Sequence, residues 1–342
     1  MAPKRMKAVK FTGHQQIRVV ETDMPDMSNG KVLAKVLASA VCGSERTVYL
    51  RDEQPSEAFL NFGHEAVCEI VDPNGSEKWK AGDRVCVQII PYCGECYYCK
   101  KGVPAFCINK RPGGGVACHA QYVALNENCF IPMDDDIDPA LAAILGGDCM
   151  GVPTRSLRQL PVKEGDLVFV SGGGPVGLGN IFMAKQLGAK VVLSEPSEMR
   201  RKFALEHAGC DIALDPMTQD IKEELLKLTD GLGPEFTIEC SGSAVAEGQA
   251  LDWTRCQGHV MFCGENYKGL TIIPSYQIIH KELNLHGTFY FDPLDVPEIL
   301  ERYRNGMNPE GLISDIVSID EAPGKMVDFF EGRTGGKVII KY

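Results

Sequence analysis

Residues 167–177, Leu167-Val-Phe-Val-Ser-Gly-Gly-Gly-Pro-Val-Gly, narrow the folds open to this chain more than any other stretch. The apolar run reads as a buried strand. Glycines at 172, 174 and 177 follow in a G-x-G-x-x-G pattern, and residues 177–187 then read as a helix. Strand, glycine-rich turn and helix in that order open a doubly wound parallel sheet. Gly172 suits the tight turn. Gly174 lets backbone approach a pyrophosphate, and Gly177 lets helix pack on strand, while the helix N-terminus attracts the anion. Pro175 and Val176 sit in the same loop and join the candidate cofactor-binding residues. A glycine-rich turn with no ligand is the plainer alternative.

The same rhythm continues downstream. Lys190-Val-Val-Leu-Ser reads as a strand and residues 198–208 as a helix. Further strands are predicted at Phe236-Thr-Ile-Glu, Val260-Met-Phe-Cys and Leu283-Asn-Leu-His. Such alternation belongs to α/β architecture with a Rossmann sheet. Glu195 ends the second strand, and a carboxylate there bonds ribose hydroxyls and repels a 2′-phosphate, which favours NAD over NADP. Arg200 and Arg201 bear on that choice. Arg200 is kept as a candidate cofactor contact, although a solvated helix face would also account for both.

The first 150 residues have another style. Short β-like runs, Val32-Leu-Ala-Lys-Val-Leu, Ala66-Val-Cys-Glu-Ile-Val and Arg84-Val-Cys-Val-Gln-Ile-Ile, are broken by Gly, Pro, Asp and Asn. The tail returns to that style and ends on Lys337-Val-Ile-Ile-Lys. The expected division is a mainly-β domain over 1–152, a Rossmann domain over 153–289 and a return to the first domain over 290–342. At 342 residues the chain is long enough for two cores.

Four cysteines, Cys93, Cys96, Cys99 and Cys107, crowd one short segment. Four thiolates at that spacing suit a tetrahedral structural Zn²⁺ in a lobe at about 91–110, and such a closed shell leaves no place for substrate. An iron–sulfur cluster uses a different last spacing, and a disulfide framework suits small secreted chains. Most other cysteines, such as Cys68, Cys86 and Cys129 in apolar runs, read as packed core thiols. The net charge of −11 argues against nucleic-acid and anionic-membrane partners. No apolar run is long enough to span a bilayer, and no secretion-type apolar segment follows the basic residues 1–7. The expectation is a cytoplasmic protein in a reducing compartment.

Two further motifs, Val41-Cys-Gly-Ser-Glu and Gly63-His-Glu, complete an order of parts with the cysteine cluster, the glycine loop and the closing Gly336-Lys-Val-Ile-Ile. In that order the chain resembles the zinc-containing medium-chain alcohol and polyol dehydrogenases, of sorbitol, butanediol and threonine type, over essentially its whole length. The resemblance implies a GroES-like catalytic domain carrying an inserted Rossmann domain, and two Zn²⁺ per chain, one catalytic and one structural. It implies a catalytic zinc on Cys42, His64 and a third ligand from Gly146-Gly-Asp-Cys-Met. Counting back from Gly165 places the sorbitol-type position on Asp148, with Cys149 the alternative. Glu65 corresponds to the carboxylate beside the metal, which holds a water or enters the coordination shell. Ser44 corresponds to the hydroxyl that accepts the substrate proton. Glu45 corresponds to the carboxylate that orients the histidine, with Lys337 expected to pair with it.

What the resemblance implies for function is hydride transfer between NAD and a secondary alcohol. The expected substrate is a small polyol, vicinal diol, cyclitol or sugar derivative. An amino alcohol of threonine type is the runner-up. A non-catalytic NAD-binding protein on the same fold is the rival from another class. A homodimer or homotetramer is implied, with residues 280–291 a candidate interface. Two departures stand out. Thr47 occupies the place of a relay histidine, leaving Tyr49 and His119 to be weighed as substitutes. Tyr290 stands where sorbitol-type relatives carry Arg.

Overall fold

The computed structural model describes residues 4–51, 60–114 and 117–342. Its central feature is a six-stranded, wholly parallel sheet. From one edge to the other its strands are Ile212–Leu214, Lys190–Ser194, Leu167–Ser171, Phe236–Glu239, His259–Phe262 and Asn284–Gly287. In chain order this is 3-2-1-4-5-6, the doubly wound arrangement, with its switch point between the first and fourth strands. The central strands are buried at nearly every position because helices cover both faces. Pattern alone did not predict Ile212–Leu214, since three residues carry too little periodicity to read. The first helix runs Pro175–Gln186, two residues earlier than expected, because proline at the first helical position costs no hydrogen bond.

The second sheet has seven strands and comes from both ends of the described chain. Ile313–Ser318, Lys337–Lys341, Val32–Ala40, Ala66–Asp72, Arg84–Val87 and Phe130–Pro132 follow one another, and Tyr122–Leu125 also pairs with Val32–Ala40. Lys337–Lys341 joins Val32–Ala40 antiparallel, with Ile339 opposite Ala40. A three-stranded sheet of Gln16–Asp23, Arg5–Gly13 and Leu60–Asn61 lies beside it in sequence.

Two helices, Pro139–Leu145 and Asp148–Arg158, join the two sheets. Leu141, Ile144, Leu145, Met150 and Leu157 from these helices share one core with Val168, Leu178, Ile181 and Ile238 of the nucleotide-type domain. Each such side chain contributes about 1.5–3 kcal/mol on burial, so the helices hold the two sheets as one packed unit. No helix among the described residues is long and apolar enough to cross a membrane.

Candidate metal centre and dinucleotide crevice

The outer thiol cluster is assembled almost entirely by local structure. A short helix, Tyr97–Lys100, begins just after Cys96 and a 3₁₀ turn, Pro104–Phe106, ends just before Cys107. Cys96 Sγ lies 3.5 Å from Cys99 Sγ and 3.9 Å from Cys107 Sγ, and Cys93 Sγ lies 3.9 Å from Cys99 Sγ. Zinc–sulfur bonds of about 2.3 Å in a tetrahedron give edges of about 3.8 Å, so the spacing fits that ion. Backbone N–H groups of Glu95 and Cys96 donate to Cys93 Sγ, which favours thiolate. Hydrogen bonds from backbone lower the Cys96 thiol to about 6. The lobe is braced from outside: Asp292 Oδ1 accepts from Ala105 N at 2.7 Å, and Phe106 packs on Phe289.

An inner group of donors is assembled from distant segments. Cys42, His64, Glu65 and Asp148 each bring one ligand atom to within 4.8 Å of all the others. Cys42 caps a short turn after the strand Val32–Ala40, and His64 and Glu65 lead into the strand Ala66–Asp72. Asp148 is the first residue of the helix Asp148–Arg158. His64 Nε2 lies 3.1 Å from Asp148 Oδ2, and Cys42 Sγ lies 3.5 Å from the same oxygen. Asp148 Oδ1 is buried with no hydrogen-bond partner. A mixed sulfur, nitrogen and oxygen set with one orphaned carboxylate oxygen is what zinc accommodates.

Electrostatics points the same way. Burial raises the Cys42 thiol, His64 opposes the rise, and Asp148 and Glu65 add to it. A divalent cation reverses that balance, because a coordinating thiol ionises. Burial disfavours charge on His64, yet Cys42 and Asp148 hold the imidazole well above its usual range. Without a cation these donors share protons, and a metal would displace those protons.

Cys149 is not part of the group. Its thiol is fully buried, donates towards Pro175 O at 3.5 Å, and is pushed by burial up to about 12. Adjacent residues on a helix point about 100° apart, so one of the two must turn away from the cluster.

Glu65 and Lys337 correct one sequence expectation. Lys337 does not pair with Glu45. Its Nζ lies 2.6 Å from Glu65 Oε1, and both side chains are almost wholly buried. Burial works against the Lys337 charge, but Glu65, Cys42 and Cys149 together outweigh it and hold the ammonium above its usual range. The other Glu65 oxygen accepts from Asp148 N at 2.9 Å, and a Cβ on Gly147 would collide with it. Glu45 instead braces both ligand loops. It accepts from Gly63 N at 2.8 Å and Cys42 N at 3.3 Å, and lies 3.6 Å from His64 Nδ1. Burial alone would raise the Glu45 carboxyl, but His119 and His64 outweigh it and hold it below its usual value.

Ser44 is exposed and donates from Oγ to Cys42 Sγ at 3.4 Å, so its hydroxyl stands beside the inner donors. Thr47 is also exposed, and its hydroxyl donates to Ser44 O. Tyr49 is buried against Phe330 and reaches Glu331 rather than Ser44. His119 is buried behind the site, bonded to Glu45 and Ser39. Sequence reasoning did not single out Ser39 or Tyr342, the partners beyond His119. No local pattern marks either, since both depend on strand pairing. Tyr290 is buried, and its hydroxyl accepts from Ile89 N at 3.2 Å.

The crevice lies at the carboxyl end of the parallel sheet. A Cβ on Gly177 would collide with Gly172 O, so helix and turn pack with no room for a side chain. At Gly174 the same position opens to free space, which leaves room for an anion at the N-terminus of Pro175–Gln186. Pro175 and Val176 form the first turn of that helix. Glu195 is buried and accepts from Gly173 N at 2.7 Å and Ser197 N at 2.8 Å, which aims its carboxylate across the glycine loop. Arg200 donates to Phe329 O and Thr334 O. Arg201 pairs with Asp215 at 3.2 Å and donates to Glu195 O.

Comparison with known proteins agrees with this arrangement. Residues 28–135 match a family profile described as alcohol dehydrogenase GroES-like domain, and residues 175–305 match one described as zinc-binding dehydrogenase. The chain is 32% identical to an L-threonine 3-dehydrogenase of Thermococcus kodakarensis over 84% of this chain and 83% of that one. It is 30% identical to a sorbitol dehydrogenase of Halalkalibacterium halodurans over 92% and 94%. The crystal structure of 2R,3R-butanediol dehydrogenase from Bacillus subtilis superposes with a TM-score of 0.82 at 25% identity, covering 98% of this chain and 99% of that one. Two profiles in chain order, and relatives alike over most of their length, lead to one conclusion: the chain belongs to the zinc-containing medium-chain alcohol and polyol dehydrogenase family.

Proposed function

We propose that this chain oxidises a secondary alcohol bearing a neighbouring hydroxyl, in a polyol, vicinal diol, cyclitol or sugar derivative, with NAD⁺ as acceptor. The observation that carries the reading is the convergence of Cys42, His64, Glu65 and Asp148 on one buried point beside the exposed Ser44 hydroxyl. Cys42, His64 and Asp148 are the residues that would hold the inner zinc, and Cys93, Cys96, Cys99 and Cys107 the structural one. When bound, zinc supplies Lewis acidity toward a hydroxyl and nicotinamide accepts the hydride.

The chain's own residues do the rest. Glu65, held by Lys337 and the Asp148 N–H, backs the inner donors as a fixed carboxylate whose charge Lys337 balances. Ser44 takes the hydroxyl proton and passes it to water, which its exposure permits without a relay histidine at Thr47. The Gly172, Gly174 and Gly177 loop cradles a pyrophosphate against the first turn at Pro175 and Val176. Glu195 faces the ribose, and its charge disfavours a 2′-phosphate. Arg200 and Arg201 are occupied by protein partners, which supports NAD rather than NADP.

The second reading is threonine-type oxidation, favoured by the identity to the Thermococcus relative. An amino acid needs a cation for its carboxylate. Lys337, a cation at the inner group, is engaged with Glu65. That supports a neutral polyhydroxylated substrate.

We also place catalytic residues in 1–152 and 290–342 and the nucleotide in 153–289. The assembly we infer is a homodimer or homotetramer through the open edge strand Asn284–Gly287. Leu285 on it is exposed, and Ile273, Tyr276 and Ile279 nearby in sequence are 55%, 69% and 64% exposed.

The test is a panel of polyols, vicinal diols, cyclitols and L-threonine with NAD⁺ and NADP⁺, scored by kcat/KM on protein with its zinc counted. The highest value is expected for a polyol or diol with NAD⁺. A higher value for L-threonine would overturn the substrate class. Zinc-loaded protein that binds NAD⁺ and turns over none of the panel would favour the non-catalytic reading.

A further inference from the structure

We infer that Tyr342, Ser39 and His119 are positioning residues that set the orientation of His64 through a buried chain of polar groups. This rests on the metal-centre reading above. Tyr342 Oη lies 2.9 Å from Ser39 Oγ, and Ser39 Oγ lies 2.8 Å from His119 Nδ1. His119 Nε2 lies 3.2 Å from Glu45 Oε2, and Glu45 Oε1 lies 3.6 Å from His64 Nδ1. Ser39 is 0% exposed and His119 1%. The middle links of the chain are therefore kept from water.

The hydrogen positions follow from one end. A carboxylate only accepts, so His119 Nε2 donates to Glu45. A neutral His119 then presents a lone pair at Nδ1, which accepts from the Ser39 hydroxyl. Ser39 oxygen in turn accepts from the Tyr342 hydroxyl. All three bonds run in one direction and end on the carboxylate. Glu45 is thereby held facing His64 Nδ1, which leaves His64 Nε2 directed at Asp148 and Cys42. For a histidine ligand, the partner of the second ring nitrogen decides which nitrogen is offered to the metal.

Backbone contacts make the coupling stiff. Ala117 N and Cys118 N both donate to Gly63 O, and His119 N donates to Phe62 O. The segment carrying His119 is thus clamped to the loop carrying His64. Tyr342 N donates to Leu37 O, and Tyr342 Oη lies 3.4 Å from Cys118 O. Burying a hydroxyl, an imidazole and a carboxylate gains little stability over apolar side chains of the same shape. What the polar chain adds is direction.

Tyr342→Phe and Ser39→Ala each remove one oxygen, and Ser39→Thr restores the hydroxyl. The measurements are zinc retained per chain during dialysis against a chelator, the visible absorption of Co²⁺-substituted protein, and the melting temperature. The expected result is a loss of one of two zinc ions about tenfold faster in Tyr342→Phe and Ser39→Ala. Their cobalt bands should shift, Ser39→Thr should restore the rate, and the other zinc and the melting temperature should stay as in the parent. Unchanged zinc loss and cobalt bands in both oxygen-deleting variants would overturn the inference. So would equal loss of both ions with a lowered melting temperature, which marks general packing. A parent protein that holds a single ion would overturn the metal-centre reading itself, and this inference with it.

Discussion

The two clusters of metal-binding side chains are built on opposite plans. The outer one takes four sulfurs from residues 93–107, a single loop-rich segment, and leaves Cys93 and Cys99 partly exposed. The inner one gathers sulfur, imidazole and carboxylate from residues 42, 64–65 and 148, with a counter-charge from residue 337. Cys42, Glu65, Asp148 and Lys337 are all buried, His64 is half-buried, and Ser44 beside them is exposed. A closed set of four thiolates holds shape, whereas a mixed set with an open approach leaves a position for a reacting group. The difference supports the proposal made above, that the most conspicuous cluster is scaffolding and the dispersed one carries the chemistry.

The comparison breaks most sharply at Cys42. We expect Cys42→Ser to lower kcat/KM for alcohol oxidation by about 10³-fold or more, with loss of one zinc and retention of the other. Two zinc ions per chain in that variant, with turnover intact, would remove the distinction between the sites. Next in size is the buried ion pair. Lys337→Met strands the Glu65 carboxylate and should cost roughly 3–5 kcal/mol in chemical denaturation, most of it recovered by adding Glu65→Gln. A loss under about 1 kcal/mol would mean that Glu65 does not depend on Lys337 for its charge.

The outer cluster should respond differently. Cys96→Ser is expected to release the other zinc and lower the melting temperature by roughly 10 °C, while inner zinc and turnover at low temperature persist. Abolished turnover in a still-folded variant would give the outer cluster a share in the chemistry. Smaller again is the cofactor choice. Glu195→Gln should narrow the NAD⁺ over NADP⁺ preference in kcat/KM by about tenfold, and an unchanged ratio would move the determinant elsewhere. The smallest effect is expected at Cys149. With its thiol pushed by burial up to about 12, it stays protonated at pH 8 and should resist alkylation while exposed Cys256 is labelled. Cys149→Ala should keep both zinc ions, and loss of one would reopen the choice against Asp148.

Much of this was legible from short-range pattern. Leu167–Ser171 and Lys190–Ser194 are continuous apolar runs because both faces of a parallel sheet are covered, so their strands stand where they were predicted. The outer sulfurs were legible because spacing along the chain equals spacing in space when one segment folds on itself. Spacing could rank Asp148 above Cys149 but not separate them, since neighbours on a helix differ only in which way they face. Lys337 was paired with the wrong carboxylate for a related reason. Glu45 and Glu65 both approach the inner group, and their side-chain directions follow from how three strands register.

By itself the sequence determined the doubly wound sheet, the glycine-rich turn and the four-sulfur lobe, features that depend on residue type and on neighbours a few positions away. The residues of the second group were reached through the order of motifs that the chain shares with a family. Only the tertiary structure decided that Asp148 and not Cys149 faces His64, that Lys337 neutralises Glu65, and that Ser39, His119 and Tyr342 line up behind Glu45. Each of those is a contact between residues far apart in the chain, set by strand register and by burial of charge, and neither quantity is written in any local pattern.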